Sequence, residues 1–231
     1  MELLKVNSLT KKYRGKTVLD KLDLSLEQGK VYGLLGPNAS GKTTLMKLIA
    51  GVTWPSSGTV EVNGLKIGVM TKLVVSYLPT INHLPKWMTV GRSLSFYQDF
   101  YQDFNIKQAL ERVDLMGLNL NQKLPSLSTG MLGRLKIVLA MSREAKLYLL
   151  DEPLNGLDPI SRDKVLQMIL ESAREDSTIL LATHVIKEIE SILDEVIFLN
   201  NGQVALSGNV DNLRSTKKMS LDELYKEVYG N

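Results

Sequence analysis

The chain has 231 residues, with 28 basic and 25 acidic side chains and a net charge of +3, too balanced to point to nucleic acid as an obligate partner. One or two domains fit that length; 44% hydrophobic and 23% charged residues exclude disorder, and the lack of cysteine excludes disulfides, thiolate metal sites and cysteine nucleophiles. No window holds the ~18 uninterrupted apolar residues of a membrane span, and Met1 to Tyr13 lacks the apolar core of a signal peptide.

The first thirty or so residues read as strands, with Leu22, Leu24 and Leu26 alternating with polar neighbours. Val31 to Leu35 is a short apolar run of the buried-strand type, ending at Gly36. Helical spacing begins at Lys42, with Leu45, Leu48 and Ile49 on one face, and Gly51 offers a stop. The middle reads mainly as helix. Ile106, Leu110 and Val113 recur at helical spacing up to Gly117, and Met131, Leu135, Val138 and Leu139 form a second apolar face. The run Phe96, Tyr97, Phe100, Tyr101 and Phe104 has the i,i+4 spacing of a helix and reads chiefly as packing, with a docking groove as the sharper alternative. It contains the one local echo in the chain, YQDFYQDF. Lys146 to Asp151 and Thr178 to Thr183 read as strands, and Asp158-Pro159 as an N-cap followed by proline at the first helical position. Glu195 to Asn200 and Gln203 to Leu206 flank Asn201-Gly202, a hairpin signal. Strand–helix alternation around an inserted helical block predicts an α/β fold with a helical subdomain.

Two segments carry chemistry on their own. Gly36-Pro37-Asn38-Ala39-Ser40-Gly41-Lys42-Thr43, followed by Thr44, fits the phosphate-loop pattern Gly-x-x-x-x-Gly-Lys-Ser/Thr. It sits between a strand and a helix, so backbone N–H groups and the positive end of the helix meet the same anion. Lys42 would bridge the β- and γ-phosphates, and the Thr43 hydroxyl would ligate magnesium. The second is Leu147-Tyr148-Leu149-Leu150-Asp151-Glu152, an apolar strand ending in two carboxylates. Asp151 would hold magnesium through water and Glu152 would polarise the attacking water.

With three further segments, these residues resemble the ATP-binding cassette (ABC) family, specifically the ATPase subunit of a transporter. Leu127-Ser128-Thr129-Gly130-Met131 is similar to the family signature, whose Ser128 and amides near Gly130 open a helix and make a second γ-phosphate cradle. In the family that cradle serves the ATP of the opposite subunit, so the resemblance implies a dimer of identical or paired cassettes. Asn155-Gly156-Leu157-Asp158 resembles the dimer-contact loop, with Asp158 counted among the nucleotide-binding positions, and His184 matches the switch histidine that senses the γ-phosphate. Tyr13 sits where the family stacks an aromatic on adenine. His83 carries no motif and reads as a surface loop residue.

The resemblance implies one nucleotide-binding domain with a RecA-like P-loop NTPase core sheet over about residues 1–79 and 145–214, including an N-terminal antiparallel β subdomain. The helical signature subdomain would occupy 80–144, and 215–231 form a tail that no motif reads. It also implies ATP and magnesium as cofactors, Lys42, Glu152 and His184 as catalytic residues, and a separate membrane-spanning permease as partner. That places the chain on the inner face of a cell membrane, as a cytoplasmic peripheral subunit.

Three departures stand out. Tyr77-Leu78-Pro79 is followed by Thr80, where the family usually has a glutamine that reaches magnesium; a threonine hydroxyl is shorter and would need a bridging water. Thr129 and Met131 replace glycine and glutamine in the signature. Ala39 replaces a frequent glycine, which the loop tolerates if that position has negative φ. The Thr80 and signature pattern is most like bacterial exporters of drugs or antimicrobial peptides. A soluble ABC-type ATPase that remodels a protein complex is the alternative. A small kinase or GTPase leaves the signature and His184 unexplained, and the guanine-reading Asn-Lys-x-Asp motif is absent.

Overall fold

Alternating leucines build the first hairpin of the chain, which a computed structural model describes over residues 1–172 and 175–230. Strand β1 (Glu2–Tyr13) pairs antiparallel with β2 (Lys16–Glu27). Leu19, Leu22 and Leu26 are buried, whereas Leu24 is only half-buried. Lys21 sits at φ +45° between Leu19 and Leu22, so the register slips there and both leucines face inward despite their odd spacing. Strand β3 (Val31–Leu35) and helix α1 (Lys42–Ile49) follow. Strands β4 (Ser57–Val62) and β5 (Leu65–Lys66) then complete a four-stranded antiparallel sheet, order β2-β1-β4-β5.

The second sheet is the core. Strands β6 (Val75–Leu78), β7 (Leu147–Asp151), β8 (Thr178–Thr183), β9 (Glu195–Asn200) and β10 (Gln203–Asn209) join β3 in the order β10-β9-β3-β8-β7-β6. All pairings are parallel except β10 with β9. That hairpin turns through Asn201 and Gly202, both at positive φ, as the sequence predicts. Both faces of the central strands are covered, which is why β3, β7, β8 and β9 are almost continuously apolar. Leu34, Leu149, Leu180 and Ile197 pack with α1 and the antiparallel sheet. Leu35, Leu150, Leu181 and Phe198 pack against the helices on the other side.

Those helices include α2 (Val90–Phe100), α3 (Ile106–Leu115), α4 (Thr129–Met141) and α5 (Pro159–Ser172). Asp158 caps α5 as expected, its carboxylate accepting from the Ser161 amide and hydroxyl. Two expectations are corrected. Leu110 is 43% exposed and the inner face of α3 is carried by Ala109 and Val113, one residue around the helix. The aromatic run does not lie on one helix, because α2 ends at Phe100 and Tyr101 is extended. Asp99 is exposed, and on a continued helix Asp103 would share its face. Instead the chain turns and Asp103 meets Arg143, whose guanidinium lies 3% exposed beneath the helical block.

Arg143 donates to both Asp103 oxygens at 3.0 and 2.9 Å and to the Val75 carbonyl at 2.7 Å. It also donates to the carbonyls of Lys72 and Leu73 and stacks 3.9 Å from the Tyr101 ring centroid. Phe104, Tyr97 and Phe96 pack inward while Phe100 is 67% exposed, so the packing reading holds for all but Phe100. The tail is helical: α6 (Val210–Lys217) and α7 (Leu221–Tyr229), the latter opened by a capping box of Ser220 and Glu223. Arg143→Met leaves Asp103 and three carbonyls without their donor. The expected loss is about 3–5 kcal/mol, read as a lowered urea midpoint.

Candidate functional site

Parallel register decides which loops meet. Leu35 pairs with Thr183, Asp151 with Ala182 and Leu78 with Leu150, so β3, β8, β7 and β6 end level with one another. The segments leaving those ends carry Gly36 to Thr44, His184, Glu152 and Thr80, and they line one cavity of about 790 Å³. A cavity of that size accommodates a nucleotide-sized ligand.

The phosphate loop is folded as its glycines require. A Cβ on Gly36 would lie 2.5 Å from the Leu199 carbonyl oxygen, and Gly41 sits at φ +113° against Leu19 and Val18. The Ser40 amide turns back onto the Pro37 carbonyl at 3.2 Å. Lys42 is buried, and its ammonium donates to the carbonyls of Gly36 at 2.7 Å and Pro37 at 3.1 Å. Burial pushes the Lys42 pKa down, while Glu152 and Asp151 partly restore it. The expectation for Ala39 is corrected: its φ is +65°, a left-handed conformation that costs a side chain energy and that glycine adopts freely.

Asp151 and Glu152 do different work. Asp151 is 1% exposed, and its Oδ1 accepts from the Thr43 hydroxyl at 3.1 Å. Its Oδ2 is buried with no hydrogen-bond partner, as is the Ser40 hydroxyl. A carboxylate oxygen without a donor beside a hydroxyl fits a hard divalent cation that takes its remaining ligands from phosphate and water. Glu152 sits at φ +52°, its amide donating to the Ala182 carbonyl at 2.8 Å, so the chain kinks where the strand ends. Its carboxylate accepts from the Thr183 hydroxyl at 3.2 Å and faces His184 Nδ1 at 3.0 Å from both oxygens. An ionised carboxylate only accepts, so Nδ1 carries the proton.

Two contributors escape sequence reasoning. Lys136 on α4 is 8% exposed and donates to the Thr80 carbonyl at 2.9 Å, tying the signature helix to the loop after β6. A lysine inside the apolar stretch Leu135 to Leu139 was the available signal. The Asn201-Gly202 turn also walls the cavity, with the Gly202 amide on the Ser40 carbonyl at 3.2 Å. The Thr80 hydroxyl lies 3.5 Å from the main-chain carbonyl of Asp151. Ser128 caps α4 through the Met131 amide at 3.2 Å; neither it nor Gly130 lines the phosphate-loop cavity. Both Asp158 oxygens are spent on capping α5. Tyr13 is exposed at the end of β1, paired in register with Lys16, which does line the cavity. His83 is exposed in a loop and meets the Tyr97 hydroxyl at 2.9 Å.

A family model described as ABC transporter matches residues 19–155. The chain belongs to the ABC transporter family. It is 31% identical over 97% of its length to the ABC transporter ATP-binding protein YtrB of Bacillus subtilis, covering 74% of that protein. It is 28% identical to the lantibiotic transport ATP-binding protein SrtF of Streptococcus pyogenes over 97% of this chain and 99% of that one. A solved ATP-binding subunit of an ABC transporter superposes with a TM-score of 0.88 at 30% identity, covering 98% of this chain and 99% of its own. A dimeric cassette bound to ADP and phosphate shares the fold at 22% identity, with a TM-score of 0.81 and coverage of 90% and 98%. The α/β P-loop fold expected from the sequence is thus the fold of this ATP-binding cassette. Ala39→Gly removes left-handed strain from its phosphate loop. The expected gain is about 1 kcal/mol, seen as a melting temperature higher by about 2–4 °C in calorimetry.

Proposed function

We propose that this cassette is the ATP-hydrolysing subunit of an exporter, acting in a dimer on a separate membrane protein. One observation carries the chemical part: a phosphate loop with its lysine and Glu152 border one cavity, and Thr43, on the same wall, donates to a buried Asp151 whose other carboxylate oxygen has no partner. Loop amides and Lys42 hold the phosphates and offset their charge. Magnesium, held by Thr43 and Asp151 with Thr80 nearby, would supply charge neutralisation at the phosphate oxygens. Glu152 accepts a proton from the water that attacks the γ-phosphorus, the bond to the β-phosphate oxygen breaks, and ADP and phosphate result. His184 holds the Glu152 carboxylate until the γ-phosphate draws it away. Tyr13 offers its face to adenine.

Ser128 and Gly130 stand outside this cavity, which supports the reading that they complete the site of a second cassette. Among the described residues no helix is long and apolar enough to cross a membrane. Val69, Met70, Leu73 and Phe100 are each more than half exposed, and Arg143 joins the carbonyls of Lys72 and Leu73 to Asp103 beneath them. An apolar face of that kind suits a protein partner. The names of the relatives make a membrane permease the reading for it, and with it a position at the inner face of the membrane.

Glu152→Gln keeps the shape and removes the proton acceptor. Turnover should fall by about 10²–10⁴-fold while ATP stays bound, with the trapped dimer visible in light scattering. Lys42→Ala should lose ATP binding in calorimetry; unchanged turnover in that variant rejects the phosphate-loop reading. Thr80→Ala loses only a hydroxyl that water can replace, so its turnover without the partner should stay within roughly thirtyfold of wild type. Co-purification of a multi-span membrane protein, weakened by Phe100→Glu, tests the partner.

A further inference from the structure

The C-terminal helix takes no part in the chemistry above, yet it ends against the base of the phosphate loop. The Tyr229 hydroxyl lies 3.2 Å from the Leu35 carbonyl oxygen and 3.0 Å from that of Leu199, and it donates its proton between them. Leu35 is the last residue before Gly36, and the Leu199 carbonyl is the atom that a Cβ on Gly36 would meet at 2.5 Å. One hydroxyl therefore holds both the entry to the loop and the wall it rests on. The ring is set by Tyr225 and Phe198, with centroids 4.5 and 6.2 Å away. Burial pushes the phenol pKa up, so the proton remains available for donation.

The other end of α7 reaches the segment that follows His184. The helix packs on the short turn Ile186–Glu188, two residues beyond His184. Lys187 Nζ lies 3.8 Å from Asp222 Oδ2, and Glu190 accepts from the Leu221 amide at 3.4 Å while pairing with Arg214 at 3.3 Å. Leu221 and Leu224 anchor the helix in the core below.

We propose that Tyr229 is a positioning residue for the phosphate loop, and that α7 joins this loop to the segment carrying His184, so that docking of the C-terminal helix sets nucleotide affinity. This rests on the reading of the cavity as the ATP site. A loop whose amides must converge on phosphate gains affinity from being held in the bound shape beforehand. Loss of the hydroxyl frees two carbonyls that flank the loop, and the penalty falls on binding because folding is already secured by the rings of Tyr225 and Phe198.

Tyr229→Phe keeps those ring contacts and deletes only the donor. Calorimetric titration of the full chain with Mg-ATP should show a dissociation constant raised about 3–10-fold. Amide hydrogen exchange should quicken in the peptide covering residues 36–44, with a melting temperature within about 3 °C of wild type. Leu224→Ala, which loosens the docked helix without touching the hydroxyl, should weaken binding in the same direction. Unchanged affinity and exchange in Tyr229→Phe overturns the inference, as does a lowered melting temperature with affinity intact, which is a structural role alone. Wild-type chain that binds no Mg-ATP, while exchange at 36–44 still responds to Tyr229→Phe, overturns the nucleotide reading and supports the positioning.

Discussion

Four parallel strands that stop at the same level are the constraint on which the site depends. Within a sheet buried on both faces a polar side chain must find a hydrogen-bond partner, and the loops at the strand ends supply the most. Asp151 and Thr183 are the terminal residues of β7 and β8, both almost fully buried and both engaged at the edge, through Thr43 and Glu152. The phosphate loop leaves β3 at the same edge. Residues of the candidate site from segments more than a hundred residues apart in sequence are brought together by main-chain hydrogen bonds, without contacts of their own needed to find one another.

That edge is electrostatically unfinished. Lys42 and Lys136 both approach Asp151, and burial lowers the pKa of each while that carboxylate raises it. Even so, Asp151 Oδ2 and the Ser40 hydroxyl remain without partners. Buried polar atoms in that condition cost stability until something binds them. Two left-handed residues, Ala39 at φ +65° and Glu152 at φ +52°, add strain of about 1–3 kcal/mol each at the same place. The sheet around them tolerates this because its interior is continuous and apolar. Preorganisation for a phosphate ligand and local instability are one property seen from two sides.

The helical block is held differently. It shares the apolar core with one face of the sheet, but its direction is fixed by arginines whose partners are main-chain carbonyls, the Asp103 carboxylate and serine hydroxyls. Arg143 gathers Asp103, Val75, Lys72 and Leu73, and Arg112 reaches from α3 to Met141 and Ser172. Lys136 adds a link from α4 to the loop at Thr80. Rigid forks, chiefly on main-chain oxygens, hold helix α4 at a set angle to the phosphate-loop cavity, with side chains as the joints.

Much of this was legible in the amino-acid order because it is local. The phosphate loop, the strand ending in Asp151 and Glu152, the cap at Asp158 and the turn at Asn201-Gly202 each depend on backbone chemistry within a few residues. The left-handed conformation of Ala39 is not legible in the sequence because φ at one loop position is imposed by the fold of the whole loop. Lys136, Tyr229 and the place of the Asn201 turn in the cavity wall escaped because their partners are remote in sequence. The repeated tetrapeptide shows the division most directly: Tyr97-Gln98-Asp99-Phe100 is helical with Phe100 in solvent, whereas Tyr101-Gln102-Asp103-Phe104 is a turn with Phe104 buried. Four identical residues carry identical propensities, so sequence alone determines only that either conformation is affordable. The tertiary structure decides between them, because one copy lies over the buried guanidinium of Arg143 and must bend to bring Asp103 to it.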